Sequence, residues 1–247
     1  MPRRGMRRGM RSFIIHMPGD AKRAPNAQKL LQLLPNAEIV DAVIGKDIIA
    51  KGQITPQPGN IHAPHYPFPL GAGEVGCFLS HRACWQRIVD LDLDYALITE
   101  DDLSLDLDLW NEALDLIANH ASVESFFRLP AKRRETPAAT IDRGPHAELF
   151  LPRVIGLQTV CQVVGKTAAR RLLGASERLD RPVDTFLQMH WITQQPIHTI
   201  LPNGVSEITD QVGGSTIQKK NRSGSKLARE FKRALYRAKV SSQPQRP

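Results

Sequence analysis

The stretch Tyr95-Ala96-Leu97-Ile98-Thr99-Glu100-Asp101-Asp102 joins a short apolar run to three consecutive acids. Tyr95 to Ile98 has the length and composition of a buried strand. In an open α/β sheet, ligands bind outside the carboxyl ends of the strands, so Glu100, Asp101 and Asp102 stand where a ligand would. Adjacent carboxylates in partly buried surroundings repel one another by up to roughly a few kcal/mol, and a cation or basic partners must offset that. Carboxylate oxygens suit hard ions such as Mg²⁺ or Mn²⁺, which can bridge a diphosphate and stabilise the charge growing on it as it leaves. On spacing alone a solvated acidic turn is an equal alternative, because short acidic motifs recur by chance.

Upstream, Val75, Phe78, Leu79, Trp85, Ile88 and Val89 recur at helical spacing and predict a helix from Glu74 to about Leu91. Residues 51–73 carry Pro56, Pro58, Pro64, Pro67 and Pro69 and read as a long loop, of the kind that serves as a lid or substrate loop. Strands are predicted over residues 12–17 and 38–40, with a helix from Asn26 to Leu34 ended by Pro35. Downstream, Leu109 to Ala118 reads as an amphipathic helix, and Phe126–Leu129 and Leu157–Val164 as strands. Thr167–Leu173 and the segment from Pro182-Val183-Asp184 to Met189 read as helices, and Ile197–Ile200 as the last strand. This alternation, without internal repeats, predicts an α/β domain with a largely parallel sheet.

The chain has 247 residues, 41% of them hydrophobic, enough for the core of one domain or one domain with an appendage. No run approaches the ~20 apolar residues of a membrane span. Arg3, Arg4, Arg7, Arg8 and Arg11 are followed only by Phe13-Ile14-Ile15 before His16, too short for a signal peptide, so a cytoplasmic protein is expected. Cys77, Cys84 and Cys161 are odd in number and form no CxxC pair, which argues against a disulfide framework or structural zinc. The net charge of +8 belongs to the ends: residues 1–11 carry +5 and residues 219–247 carry +9, leaving −6 for the body between them. A body of that sign, without a nucleic-acid-binding motif, argues against a nucleic-acid partner. The expected organisation is a basic tail over 1–11, the α/β domain over 12–212, and a basic tail or amphipathic helix over 213–247. Within residues 219–239, Leu227, Phe231 and Leu235 form an apolar stripe among basic residues. That segment reads as a peripheral anchor on an anionic membrane, worth about 1 kcal/mol per basic residue near the surface, or as a solvated tail.

Gly73-Glu74-Val75-Gly76-Cys77-Phe78-Leu79-Ser80-His81, then Trp85, then Tyr95 through Asp102, together closely resemble glycosyltransferase family 25. This is the lipopolysaccharide and lipooligosaccharide glycosyltransferase family, with relatives that galactosylate collagen. Weaker similarity runs from about Phe13 to Ile217, through Phe13–Arg23, Ala42–Asp47 and Pro182-Val183-Asp184. The resemblance implies a GT-A-type, Rossmann-like α/β/α sandwich. It implies a UDP-sugar donor, often UDP-galactose, bound with Mn²⁺ or Mg²⁺, a glycolipid or oligosaccharide acceptor of lipopolysaccharide type, and inversion. By analogy with Asp-x-Asp sites, Asp102 is the expected direct metal ligand and Glu100 faces the ribose or the metal shell. Asp101 joins the donor site or only shapes the turn. Arg23 is expected at the donor phosphates. Glu74 and His81, two helical turns apart on one face, are expected along the donor side of the cleft. The bland alternatives are a surface Arg23, a Glu74 that offsets the helix dipole, and a hydrogen-bonded core His81. Asp184 is the expected base for the acceptor hydroxyl, against an ordinary helix-start acid after Pro182. Ser80 and Trp85 read as packing residues, and Lys132-Arg133-Arg134 as a solvated loop placed where an anionic acceptor would be felt.

Two positions depart from the family pattern: His16-Met17 replaces Asn-Leu, and Cys161 stands near the usual Tyr of a late strand. They leave open an inactive relative tethered by its basic ends to a membrane or partner. A nucleotidyltransferase is a third possibility.

Overall fold

A computed structural model describes residues 9–214 and 226–247. The arginines before residue 9 and the basic residues 219–225 lie outside the described residues.

Chain order begins with β1 (Arg11–His16), α1 (Ala24–Leu33), β2 (Ala37–Asp41), α2 (Gly45–Ala50), α3 (Ala72–Asp90) and β3 (Tyr95–Glu100). It continues with β4 (Leu103–Leu105), α4 (Leu107–His120), β5 (Phe126–Arg128), β6 (Pro137–Arg143), β7 (Glu148–Pro152) and β8 (Cys161–Gly165). The remainder is α5 (Lys166–Ala175), α6 (Val183–Leu187), α7 (His190–Thr193), β9 (His198–Leu201), β10 (Val205–Glu207) and α8 (Lys226–Ser241).

Eight strands form one sheet in the order β2-β1-β3-β8-β5-β9-β7-β6, while β4 and β10 pair separately. From the pairings, six of the eight strands point the same way, and β8 and β7 run against them. The sheet is therefore mostly parallel within a mixed α/β/α sandwich, as expected.

Side-chain alternation along the strands explains the two layers. Ile14, Leu97, Phe127 and Val163 face one core with Leu30 of α1 and Trp110 and Ile117 of α4. Phe13, Ile98, Phe126 and Val164 face the other, with Phe78, Trp85 and Ile88 of α3 and Leu172 of α5. Strands covered on both faces read as unbroken apolar runs, which is why Phe13-Ile14-Ile15 and Tyr95–Ile98 were recognisable.

Several elements differ from the sequence expectation. The predicted strand over 157–164 begins only at Cys161, because Gln158 has φ 85° and cannot continue an extended ladder. The helix predicted from Pro182 to Met189 ends at Leu187, and α7 follows it as a separate turn. The β6–β7 hairpin was not anticipated. β6 is an edge strand with little burial and no clean alternation to read.

Order β2-β1-β3 fixes the site. From β1 the chain passes through α1 to β2 on one side, and from β2 through α3 to β3 on the other. The crevice outside the carboxyl ends of β1 and β3 is thus a topological switch point. Parallel register sets Ile15 beside Glu100, which brings His16 next to the acids.

Candidate functional site

A cavity of about 170 Å³ opens at that crevice, bordered by Ile15, Gly45, Gly76, His81, Glu100 and Asp101. That is below the ~300–1,000 Å³ typical of ligand pockets and leaves room for a ring-sized group. Close backbone packing shapes one wall. A Cβ on Gly76 would meet the Val43 carbonyl oxygen and the Gly45 nitrogen, and a Cβ on Gly45 would meet Ala72 and Gly76 backbone. Glycine at both positions lets the segment after β2 lie flush on α3. Ser80 bonds across this contact, accepting from Val43 N at 2.8 Å and donating to Gly76 O at 2.8 Å. It packs, as its sequence reading had it.

The acids have basic partners inside the fold. Arg23 donates from Nη1 to Asp101 at 2.7 Å, pairs through Nη2 with Asp102 at 3.0 Å, and donates from Nη2 to Gly214 O at 2.8 Å. His16 Nδ1 lies 2.6 Å from the second Asp101 oxygen. Asn26 ties down the turn by donating to the carbonyls of Asp101 and Leu103. Arg23 and Asp101 both line the cavity, yet both are engaged with each other. Burial opposes the charge on Arg23, and the nearby Asp102 and Asp101 overcome it, so its pKa is raised.

Asp102 differs from Asp101. Its Oδ2 takes the Thr209 hydroxyl at 2.8 Å as well as Arg23, but its Oδ1 is buried without a partner. Burial and the neighbouring Glu100 charge push its pKa up. A buried carboxylate oxygen without a donor calls for a proton or a cation. Glu100 behaves oppositely. Burial alone would raise its pKa, but His81 and the Thr159 hydroxyl, 3.2 Å away, bring it below the ordinary value.

His81 is fully buried, with Nδ1 2.7 Å from the Gln162 amide and Nε2 3.5 Å from Glu100. Its Nε2 lacks a hydrogen bond and is directed at Glu100 in the wall of the cavity that both residues line. Cys77, His81 and Glu100 present ligand atoms within 4.8 Å of one another. Burial and the surrounding carboxylates hold the Cys77 thiol well above its ordinary pKa and therefore protonated. A thiol in that state does not suit a hard ion.

Glu74 sits in the first turn of α3, where its Oε2 accepts from Gly71 N at 2.7 Å, a helix-start capping contact. Asp184 sits in the first turn of α6. Its Oδ1 accepts from Thr185 N at 2.7 Å and from the Thr185 hydroxyl at 3.2 Å, and its Oδ2 accepts from Gln158 N at 3.3 Å. Burial raises its pKa against these hydrogen bonds. Trp85 is buried in the core. Sequence reasoning did not find Asn26, Thr159 or Thr209. They reach the acids from 59 to 107 positions away, and no local pattern announces such contacts.

An α/β sandwich with a carboxylate-bearing crevice at its switch point belongs to the class that holds ligands at strand ends. The chain belongs to glycosyltransferase family 25: the model of that family, described as glycosyltransferase family 25 (LPS biosynthesis protein), matches residues 10–187. It is 27% identical over 186 residues to procollagen galactosyltransferase 2 of Homo sapiens, covering 71% of this chain and 29% of that protein. It is 30% identical over 190 residues to procollagen galactosyltransferase 1 of Danio rerio, covering 71% and 30%. It is also 29% identical over 182 residues to inactive glycosyltransferase 25 family member 3 of Mus musculus, covering 67% and 29%. The chain thus spans less than a third of the length of these relatives. Among solved structures, mannose-1-phosphate geranyltransferase from Thermus thermophilus aligns over 78% of this chain and 73% of its own, with a TM-score of 0.38 and 9% identity, a likeness too weak to argue from.

Proposed function

We propose that this glycosyltransferase moves galactose or a related hexose from a UDP-sugar to a glycan acceptor, of lipopolysaccharide type or another, with inversion and with a divalent metal. The observation that carries the reading is the crevice at the β1 and β3 ends, with Glu100 held ionised in its wall. The unpartnered Oδ1 of Asp102, close to Glu100, fits Mn²⁺ or Mg²⁺ better than the Cys77–His81–Glu100 group does. A metal held by Asp102 and Glu100 would stabilise the charge of the departing diphosphate. Arg23 and His16 keep Asp101 fixed, and Asp101 in turn shapes the turn that presents Asp102. Asp184 takes the proton of the acceptor hydroxyl. That oxygen bonds to the anomeric carbon from the face opposite the diphosphate, the old anomeric C–O bond breaks, and its electron pair leaves with UDP. Thr185 and the Gln158 N–H hold the Asp184 carboxylate in place for this step.

No helix among the described residues is long and apolar enough to cross a membrane. Leu227, Phe231 and Leu235 are exposed on α8 while Tyr236 and Val240 are buried. The outward stripe with its neighbouring Lys232 and Lys239 suits an anionic cytoplasmic membrane surface and a glycolipid acceptor there.

A second reading, a non-catalytic relative, is favoured by one observation: Arg23 already bridges Asp101 and Asp102 where a cation would be wanted. A screen of UDP-sugars for metal-dependent UDP release tests the pair. Release with one sugar supports transfer. UDP binding without release for any sugar supports the non-catalytic reading, and pyrophosphate as product would mark a nucleotidyltransferase.

A further inference from the structure

A second cavity, of about 500 Å³, lies under α8. Tyr66 and Phe68 of the long loop, Arg134, the segment Val154–Leu157, and Arg233, Tyr236 and Arg237 of α8 enclose it. Three arginines line it and no carboxylate does: Arg134 comes from the body of net charge −6, and Arg233 and Arg237 from the basic C-terminal segment. Arg134 and Arg237 are exposed and have no acidic partner among the described residues, whereas Arg233 pairs with Glu230 at 2.6 Å and lies 5.4 Å over the Phe68 ring. Unpaired guanidinium groups beside a cavity are prepared for a bidentate anion such as phosphate or carboxylate.

The rest of the lining is aromatic. Tyr66 meets Phe68 edge-on at 5.7 Å and Tyr236 edge-on at 5.4 Å, a cluster whose ring faces and edges suit the C–H faces of a sugar. The wall is fixed. Arg181 donates to the Tyr236 hydroxyl at 3.3 Å, and beyond α8 the buried Gln245 bonds to Pro152 O and to both backbone groups of Ile197. The cavity also adjoins Asp184. Thr185 lines it and bonds Asp184, and Leu157 lines it just before Gln158, whose N–H reaches the other Asp184 oxygen.

We infer that this cavity is the acceptor subsite, and that the acceptor is a saccharide carrying a phosphate or carboxylate, its ring against Tyr66, Phe68 and Tyr236 and its anion on Arg134 and Arg237. The inference rests on the reading of the chain as a sugar transferase. It assigns α8 two opposite faces: Arg233, Tyr236 and Arg237 wall the subsite, while Leu227, Phe231 and Leu235 point away from it.

The test uses the full chain and matched sugars, glucose against glucose 6-phosphate and galactose against galacturonate, with inorganic phosphate as a third arm and UDP binding measured alongside. The anionic sugar of each pair should bind about tenfold more tightly than its neutral partner. Inorganic phosphate should compete at least about tenfold more weakly than glucose 6-phosphate. The exposed double variant Arg134→Ala/Arg237→Ala should lose the preference while its melting temperature and UDP affinity stay at wild-type values. Equal binding of charged and neutral sugars, no detectable binding of the charged ones, inorganic phosphate competing as well as sugar phosphate, or a preference that survives the double variant would each overturn the inference. Loss of UDP binding in the wild-type chain would instead sink the donor reading, since the sugar measurement does not depend on it.

Discussion

The cavity at the β1 and β3 ends draws its walls from short pieces that all fall between residues 15 and 101, at the ends of the strands and along the first half of α3. The cavity under α8 draws on five separate pieces between Tyr66 and Ser241. Their electrostatics are opposed as well. In the first, buried carboxylates are held by bases from the fold itself, with Arg23 on Asp101 and Asp102 and His16 on Asp101. In the second, two arginines face the cavity with no acidic partner among the described residues. A charge already answered within the protein is architecture, while an unanswered one is available to a ligand. By that criterion Arg23 orders the acids, and the free chemistry of the acidic run is the Asp102 Oδ1.

The largest effect should come at Asp184, which the second cavity adjoins through Thr185. Asp184→Asn should lower the turnover of sugar transfer by roughly 10²–10⁴-fold, with UDP affinity unchanged. Burial holds the Asp184 carboxyl above the ordinary 3.8, and the base is the deprotonated form. The rate should therefore fall as pH drops through a value above 3.8, which a turnover–pH profile would locate. For stability the sign is reversed: the raised pKa favours the folded state below it, and that contribution is lost as pH rises through it. A limb at or below the ordinary aspartate value would remove Asp184 from the role.

Next in size, Arg23→Leu should destabilise the fold by about 3–5 kcal/mol in urea unfolding, because it leaves Asp101 and Asp102 buried without their partner. Adding Asp101→Asn should recover part of the loss. Arg237→Ala in the other cavity should stay within about 0.5 kcal/mol of wild type. Equal costs for the two arginines would erase the contrast between them.

The smallest effect is expected on the outer face of α8. Replacing Leu227, Phe231 and Leu235 together by Ser should leave thermal stability nearly unchanged, since all three are exposed, and should reduce retention on anionic vesicles. Unaltered vesicle binding would argue for a helix that serves the cavity alone.

Legibility in the sequence followed the same division. The strands of the first cavity were readable because both faces of β1 and β3 are buried, and Glu100 at the end of β3 could be placed from the apolar run before it. His81 and Glu74 were singled out together by the family resemblance; His81 borders the cavity, whereas Glu74 is absent from its lining and caps the start of α3. Arg23 was found too, but its occupation by Asp101 and Asp102 was hidden, because a guanidinium looks the same in sequence whether it meets a phosphate or an aspartate. Thr209 on Asp102 comes through the small β4–β10 pairing, which is three residues long on each strand and left no periodic trace. The second cavity was illegible as a whole, since Tyr66, Arg134, Leu157 and Tyr236 meet only through the tertiary fold. Two hints were present, the long loop over residues 51–73, which carries Tyr66 and Phe68, and the run Lys132-Arg133-Arg134. There Lys132 pairs with Glu207 at 2.8 Å and Arg134 reaches the cavity.

In the proposed reaction Asp102, through its unpartnered oxygen, would hold the metal that a nucleotide diphosphate needs. Calorimetric titration of UDP with and without Mn²⁺, on the wild type and on Asp102→Asn, tests it directly. Mn²⁺ should strengthen UDP binding by at least about tenfold, and Asp102→Asn, still folded by its melting curve, should lose this enhancement. UDP binding that is indifferent to Mn²⁺, or an enhancement that survives Asp102→Asn, would contradict it.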